Sequence, residues 1–309
     1  MRTKSVNHEL QGAAFVAASY VLWGLLPIYW KFLKQVPAGE VLCHRIIWCV
    51  AFMLLLILFT GQLAHFRDDV KGILTQPRKI IGIIFSAVFL NMNWGIYIWA
   101  VNNNHVIDTS LGYYINPLVS VLLGILVLKE KLSRWQGIAF VLALLGVLNL
   151  TLHSGTFPWI AVLLAVTFGF YGLLKKTVGV GAVTGLTLET LIMFLPAISY
   201  VAFIQQAGRG ALTLAEPVTA ALLIGAGAVT GIPLLLFASG TIRISLIIVG
   251  FLQYISPTLA LILGIYLYHE PFTSTHLLSF ILIWTGLLVF TISQSGTMMH
   301  RRERINQNN

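Results

Sequence analysis

Charge is what this chain has least of. Only 9% of its 309 residues are Asp, Glu, Lys or Arg, against about 25% in an ordinary soluble domain. With 58% hydrophobic residues and a mean hydropathy of +0.88, that scarcity excludes a soluble globular protein. It excludes disorder too, because a solvated coil cannot carry so much apolar surface. Cysteine is nearly absent. Cys43 and Cys49 stand six apart in one apolar run, about 600° around a helix, so their thiols point to different faces. That spacing argues against a disulfide, fits no zinc motif and leaves buried free thiols. The phosphate-binding Walker A sequence is missing, so ATP is not the driver, and so is the Gly-x-Ser-x-Gly elbow. No cofactor is expected. No metal is expected either, since Glu40 and His44 supply only two ligands outside the HExxH pattern.

What the chain has is long apolar runs. Ten are of membrane-crossing length: roughly 12–30, 41–60, 80–100, 110–128, 135–152, 158–174, 184–204, 218–240, 245–267 and 275–294, numbered here as spans 1–10. A β-barrel would alternate apolar and polar residues, and these runs do not. The first is too long for a signal peptide and reads as a retained span. Little sequence remains for a water-soluble domain. The net charge of +9 would suggest nucleic acid in a soluble protein, but here basic loops follow from the positive-inside rule. With the N-terminus inside, fifteen of the nineteen Lys and Arg fall on the inner side. Only Lys31, Lys34 and Arg209 fall outside, and Arg45 lies within span 2. Both termini are therefore expected in the cytoplasm.

The chain also repeats itself. Residues 111–132 and 251–272 align at a constant offset of 140. Tyr114 meets Tyr254, Pro117 meets Pro257, Gly124-Ile125 meets Gly264-Ile265, and Glu130 meets Glu270; further on, Gly146 meets Gly286. A weaker match pairs Gly24 with Gly172 and Glu40 with Glu189. The expected architecture is an all-α polytopic membrane protein of two five-span copies, residues 1–152 and 153–309. Five is odd, so the second copy enters the membrane inverted. Inverted repeats are a recurring plan of secondary transporters, with the substrate site at the repeat interface near mid-membrane.

Ionisable groups inside a span are costly and mark functional sites by default. Glu40, His44 and Trp48 form one helical stripe with Arg45 about 60° away. That face is a candidate site for an anionic or zwitterionic substrate or a proton relay, with snorkelling to the interface as the alternative. Glu189, the repeat mate of Glu40, is a second carboxylate expected at a mirrored depth, or else a partner for Lys175 or Lys176. Glu40, His44 and Glu189 are thus the proton-coupling candidates. In span 3, Asn91 and Asn93 must find hydrogen bonds in hydrocarbon, and Asn93 shares a face with Tyr97. Pro117 and Pro257 interrupt helices at matching places, the best sequence pointer to a transport site. Beside them Tyr113, Tyr114, Asn116, Gln253 and Tyr254 are candidate cavity residues.

The segments WGLLPIYWK (23–31), GEVLCHRIIW (39–48), NWGIYIWAVNN (93–103), SLGYYINPL (110–118) and FLQYISPTL (251–259) closely resemble the RarD permeases, of the EamA branch of the drug/metabolite transporter superfamily. The resemblance covers about residues 10–295. It implies two inverted five-helix repeats, cytoplasmic termini, a bacterial inner membrane, and export of a small molecule through a central cavity. The family is associated with chloramphenicol sensitivity or resistance. Its acid-His-Arg motif falls on Glu40, His44 and Arg45, and its aromatic-Asn-Pro element on Tyr114, Asn116 and Pro117. EamA repeats often carry Gly-Glu after the fourth helix; this chain has Lys129-Glu130 and His269-Glu270.

The leading reading is a secondary exporter of an amphipathic metabolite or drug, amino acid-like or aromatic, with a carboxylate for Arg45. Alternating access between the copies would drive it, with proton coupling. An importer of the same substrates and a sensor or scaffold without flux are the alternatives. A membrane-embedded enzyme lacks a nucleophile–base pair. The partners are the substrate and the bilayer, not nucleic acid; monomer and homodimer both stay open.

Overall fold

The structure, a computed structural model, describes residues 2–103, 105–153, 157–213, 215–267 and 273–306, with the backbone alone at 2–6, 101, 102, 106, 107 and 294–306. His269 and Glu270 lie outside the described residues. Among those described there are helices and no strand. Ten helices are long and apolar enough to cross a membrane: Asn7–Lys31, Ala38–Phe59, Pro77–Ala100, Asp108–Leu126, Arg134–His153, Trp159–Thr177, Ala182–Gln206, Pro217–Thr241, Leu246–Leu267 and Ser274–Ser293. These are spans 1–10, within a few residues of the sequence-based bounds. One helix was not expected. Leu63–Leu74 fills the polar break between spans 2 and 3 and rests on spans 3 and 7, where its Asp69 accepts a hydrogen bond from Thr184 Oγ1 at 2.6 Å.

The packing is that of a protein in lipid. Leu58, Phe59, Leu195, Phe203, Leu288 and Ile292 face outward, while Ser19, Ser86, Thr187 and Gln253 are buried. Hydrocarbon offers polar groups no partner, so they must find one inside. Ser120 Oγ of span 4, for example, donates to Gln253 Oε1 of span 9 at 3.1 Å.

Span 6 packs on spans 3 and 4, as span 1 packs on spans 8 and 9. Span 2 packs on span 8 and span 7 on span 3; spans 2 and 7, 4 and 9, and 5 and 10 meet directly. Renumbering every span by five leaves this set of neighbours unchanged. The contact of spans 5 and 10 is reciprocal at atomic detail. A Cβ on Gly146 would lie 2.7 Å from the Ser279 carbonyl oxygen, and one on Gly286 would lie 2.8 Å from that of Ala139. Ser279 follows Ala139 by the same 140 residues as Gly286 follows Gly146.

The two prolines do not behave alike, which corrects the expectation of matching interruptions. Span 9 breaks at Tyr254 into Leu246–Gln253 and Ile255–Leu267. The break follows Gln253, whose carbonyl Pro257 cannot serve. Span 4 stays helical through Pro117. It is held against span 6 on one side and against span 9 on the other, where Gly250 lets the Pro117 carbonyl come within 2.8 Å of where a Cβ would be.

Span 4 ends in a reversal. The Glu130 N–H donates to the Gly124 carbonyl at 3.0 Å, and Lys129 takes a positive φ of 57°. This is the left-handed helix stop that glycine usually fills, which accounts for the Gly-Glu pattern the resemblance implies. The Glu130 carboxylate then accepts the backbone N–H of Leu246 at 2.8 Å and of Ile247 at 3.0 Å. It thereby satisfies the free N–H groups that begin span 9.

Candidate functional site

A cavity of about 200 Å³ lies between spans 1, 2, 3, 4, 6, 8 and 9. Trp30, next to last in span 1, and Thr109, second in span 4, are on its wall. The cavity therefore runs from mid-membrane toward the face opposite the termini. Toward the termini an aromatic layer closes it. Phe237 packs on Tyr20 (6.0 Å between ring centres), Phe168 (5.4 Å) and Tyr171 (5.8 Å, stacked), and Trp23 meets Phe168 edge-on at 5.7 Å.

Arg45 is the charge on the wall. Its guanidinium carbon sits 5.0 Å from the centre of the Trp30 ring and 4.7 Å from that of Trp94. Its Nε donates to Thr230 Oγ1 at 3.0 Å. Arg45 forms no ion pair with a carboxylate among the described residues. The aromatic faces stabilise the cation and Thr230 fixes its rotation. Its two terminal nitrogens form no protein hydrogen bond and are not among the buried orphan atoms, so they remain open to the cavity. A planar fork held in this way matches a carboxylate or phosphate in two-point contact.

Further polar groups stand on the same wall. Asn93 is anchored, its Nδ2 donating to the Leu164 carbonyl at 2.8 Å and to Thr167 Oγ1 at 3.1 Å. Asn116 Oδ1 and the Tyr20 hydroxyl are buried with no partner. A buried acceptor without a donor is costly. Among the described residues no group of three metal-ligating side chains exists.

Of the candidates named from sequence, Arg45, Asn93, Tyr97, Tyr113, Asn116, Gln253 and Pro257 line the cavity. The others lie off its wall. His44 is buried beside Glu40, with Nε2 3.8 Å from Oε1, and Glu40 Oε1 accepts the Ala211 N–H at 2.6 Å. This pair ties span 2 to the segment between spans 7 and 8. Trp48 packs its backbone on Gly227 of span 8. Tyr114 turns to Phe280 of span 10, 5.3 Å between centres, and donates to the Pro257 carbonyl at 3.3 Å. Tyr254 is buried with Leu118, Ala143, Val147 and Ile283. Asn91 donates to the Ala87 carbonyl of its own helix at 2.7 Å, and Pro117 is off the wall. The common reason is angular: neighbours in a helix point 100° apart, so Arg45 faces the cavity and His44 does not. Glu189 is buried elsewhere, its Oε1 taking Lys175 Nζ and Ser86 Oγ, both at 2.7 Å.

The model of the EamA-like transporter family matches residues 10–152. An uncharacterized transporter of Bacillus subtilis (strain 168), YojE, is 44% identical over 92% of this chain and 94% of its own length. Protein RarD of Streptomyces exfoliatus is 37% identical over 98% and 95%. The chain belongs to the EamA-like transporter family. Within that family it falls with the RarD permeases. A solved protein crystal structure that shares only 19% identity superposes with a TM-score of 0.69, covering 91% of this chain and 96% of its own, so the likeness of fold extends over both halves of the chain. The chain is a multi-pass membrane protein with a cavity between its helices.

Proposed function

We propose that this transporter exports a small amphipathic carboxylic acid across a bacterial inner membrane, with both termini in the cytoplasm. The observation that carries this is Arg45, a guanidinium held in a membrane cavity with no carboxylate paired to it among the described residues. An uncompensated charge at that depth is expensive, and a substrate anion removes the cost only while it is bound. Trp23, Phe168 and Tyr97 on the same wall suit an apolar or aromatic body. The volume is below the roughly 300–1,000 Å³ of drug-sized pockets, which favours a metabolite of amino acid size. Chloramphenicol is neutral and leaves Arg45 unpaired, so a drug phenotype would be secondary.

The two halves, residues 1–152 and 153–309, rock about their shared interface, and a proton gradient drives the cycle. The exchange-invariant packing of the spans and the reciprocal Gly146 and Gly286 contacts support that motion. Untargeted metabolite profiling tests the function. Medium and cytosol are compared for cells expressing the intact chain, its Arg45→Ala variant, or an empty vector. Export predicts carboxylic acids enriched outside only with the intact chain. Accumulation inside would make it an importer. Identical profiles, with folded protein in the membrane, would overturn transport.

A further inference from the structure

Glu189 and Lys175 form a buried ion pair at 2.7 Å on the termini side of the aromatic layer. Glu189 is 2% exposed and Lys175 8%. Glu189 Oε1 carries both of its bonds, from Lys175 Nζ and Ser86 Oγ. Oε2 meets no hydrogen-bond partner at good geometry, and the Tyr171 hydroxyl, likewise unbonded, interacts with the Glu189 carboxylate while its ring lies 5.5 Å from Lys175 Nζ. Beside the pair is a void of about 10 Å³, bounded by Ile83, Leu174, Val178 and Val180 among others. That is room for about one water and too little for a hydrated metal ion. Val178 and Val180 stand in the connection between spans 6 and 7, so the void adjoins the termini face. The pair joins span 6 to span 7 and Ser86 adds span 3, so it closes the termini side while the cavity occupies the other half.

We infer that Glu189 is the proton-binding group that decides which face of this transporter is open. The inference rests on the alternating-access reading. A proton from water on the termini face adds to Oε2, turning the carboxylate into a neutral acid. Lys175 is then a buried cation with only Ser86, Tyr171 and a neutral acid around it. Removing one charge of a buried pair is strongly destabilising, and opening spans 3, 6 and 7 to water relieves it. Loss of the proton restores the pair and the seal. The other groups near Glu189 do not compete for the role. Asp69 on helix Leu63–Leu74 is bonded to Thr184, with His65 3.6 Å from it at the surface. Cys49 of span 2 belongs to the apolar cluster around Tyr171. Span 8 contains no titratable residue. Glu40 and His44, the other acid–base pair, begin span 2 at the opposite end of the membrane.

The test uses two thiol probes in full-length protein with Cys43→Ala and Cys49→Ala, held in lipid nanodiscs. Ala260→Cys reports the cavity wall and Ile83→Cys, a buried position beside the ion pair, reports the termini side. The ratio of their labelling rates by a water-soluble maleimide cancels the thiol's own titration. On acidification, labelling at Ile83→Cys should rise relative to Ala260→Cys by about tenfold per pH unit through the transition, the slope for one linked proton. In Glu189→Gln the ratio should be high and flat. The double variant Lys175→Met with Glu189→Gln, which leaves no buried charge to disturb folding, should be flat as well. A flat ratio in the parent protein, or a pH response that survives in both variants, overturns the inference. The labelling needs no substrate. A proton-switched ratio without any metabolite moved would therefore refute transport alone, and flux with a flat ratio would refute the switch alone.

Discussion

Arg45 and Glu189 hold equivalent places in the two halves of the chain. Each is the eighth residue of its helix, in Ala38–Phe59 and Ala182–Gln206. Glu189 follows Arg45 by 144 residues, and Thr230, which bonds Arg45, follows Ser86, which bonds Glu189, by the same 144. Trp30 lies against Arg45 as Lys175 lies against Glu189. One cradle thus holds a cation in the first half and an anion in the second. In the second half the cradle neutralises its charge. In the first it supplies only aromatic faces and a hydroxyl, so the charge has no counter-ion among the described residues.

Arg45→Ala should therefore remove ligand binding with little loss of fold. Truncating one side of a desolvated charge pair costs about 2–5 kcal/mol, thirtyfold or more in affinity. Arg45→Lys should recover only part of this, because an ammonium cannot stack between Trp30 and Trp94 or present a planar fork. Transport rates of the two variants, normalised to protein in the membrane, check the order.

The interface of spans 5 and 10 predicts an equal pair of effects. Gly146→Ala and Gly286→Ala each force a methyl against a backbone oxygen, so the helices must part. Each should cost about 1–3 kcal/mol, the usual range for overpacking. Gly137→Ala on the same helix as Gly146 meets nothing within 4 Å and should be neutral or slightly stabilising. Thermal unfolding of the three variants in detergent is the measurement; a large loss in only one of the first two would contradict the reciprocal contact.

Lys129→Gly should stabilise the protein. A left-handed backbone costs an ordinary residue about 1–2 kcal/mol, while the added freedom of glycine in the unfolded chain gives back about 0.4–1 kcal/mol. The net gain is on the order of 0.5–1 kcal/mol. A raised midpoint of thermal unfolding supports this, and a lowered one removes it.

The ten spans were legible because each is a long apolar run between polar breaks. Arg45 was legible because a charge inside such a run stands out. Its surroundings were not. Trp30 and Trp94 are two of eight tryptophans, and nothing local says which ones meet an arginine across three spans. The stripe Glu40–His44–Trp48 misled because span 2 is enclosed by spans 7 and 8 as well as by the cavity, so buried polar positions face more than one way. Pairing Glu40 with Glu189 put two carboxylates at mirrored depths. Glu40 is instead the third residue of its helix and Glu189 the eighth. Gly24 was matched to Gly172 for the same want of register. Gly24 packs on Leu259 and Gly169 on Val119, positions 140 apart, so Gly169 is its counterpart. A search at offsets of 144 and 145 would have joined Arg45 to Glu189, Ser86 to Thr230 and Trp30 to Lys175. It would have been hard to recognise, because none of those pairs is an identity.

The central claim is that Arg45 waits for an anion. The most direct measurement is thermal stabilisation of the purified protein by a panel of small carboxylic acids and their methyl esters, repeated on Arg45→Ala. The account predicts that some acids raise the unfolding temperature, that their esters do not, and that the difference vanishes in Arg45→Ala. Acids and esters stabilising alike, or acids still preferred without Arg45, would contradict it.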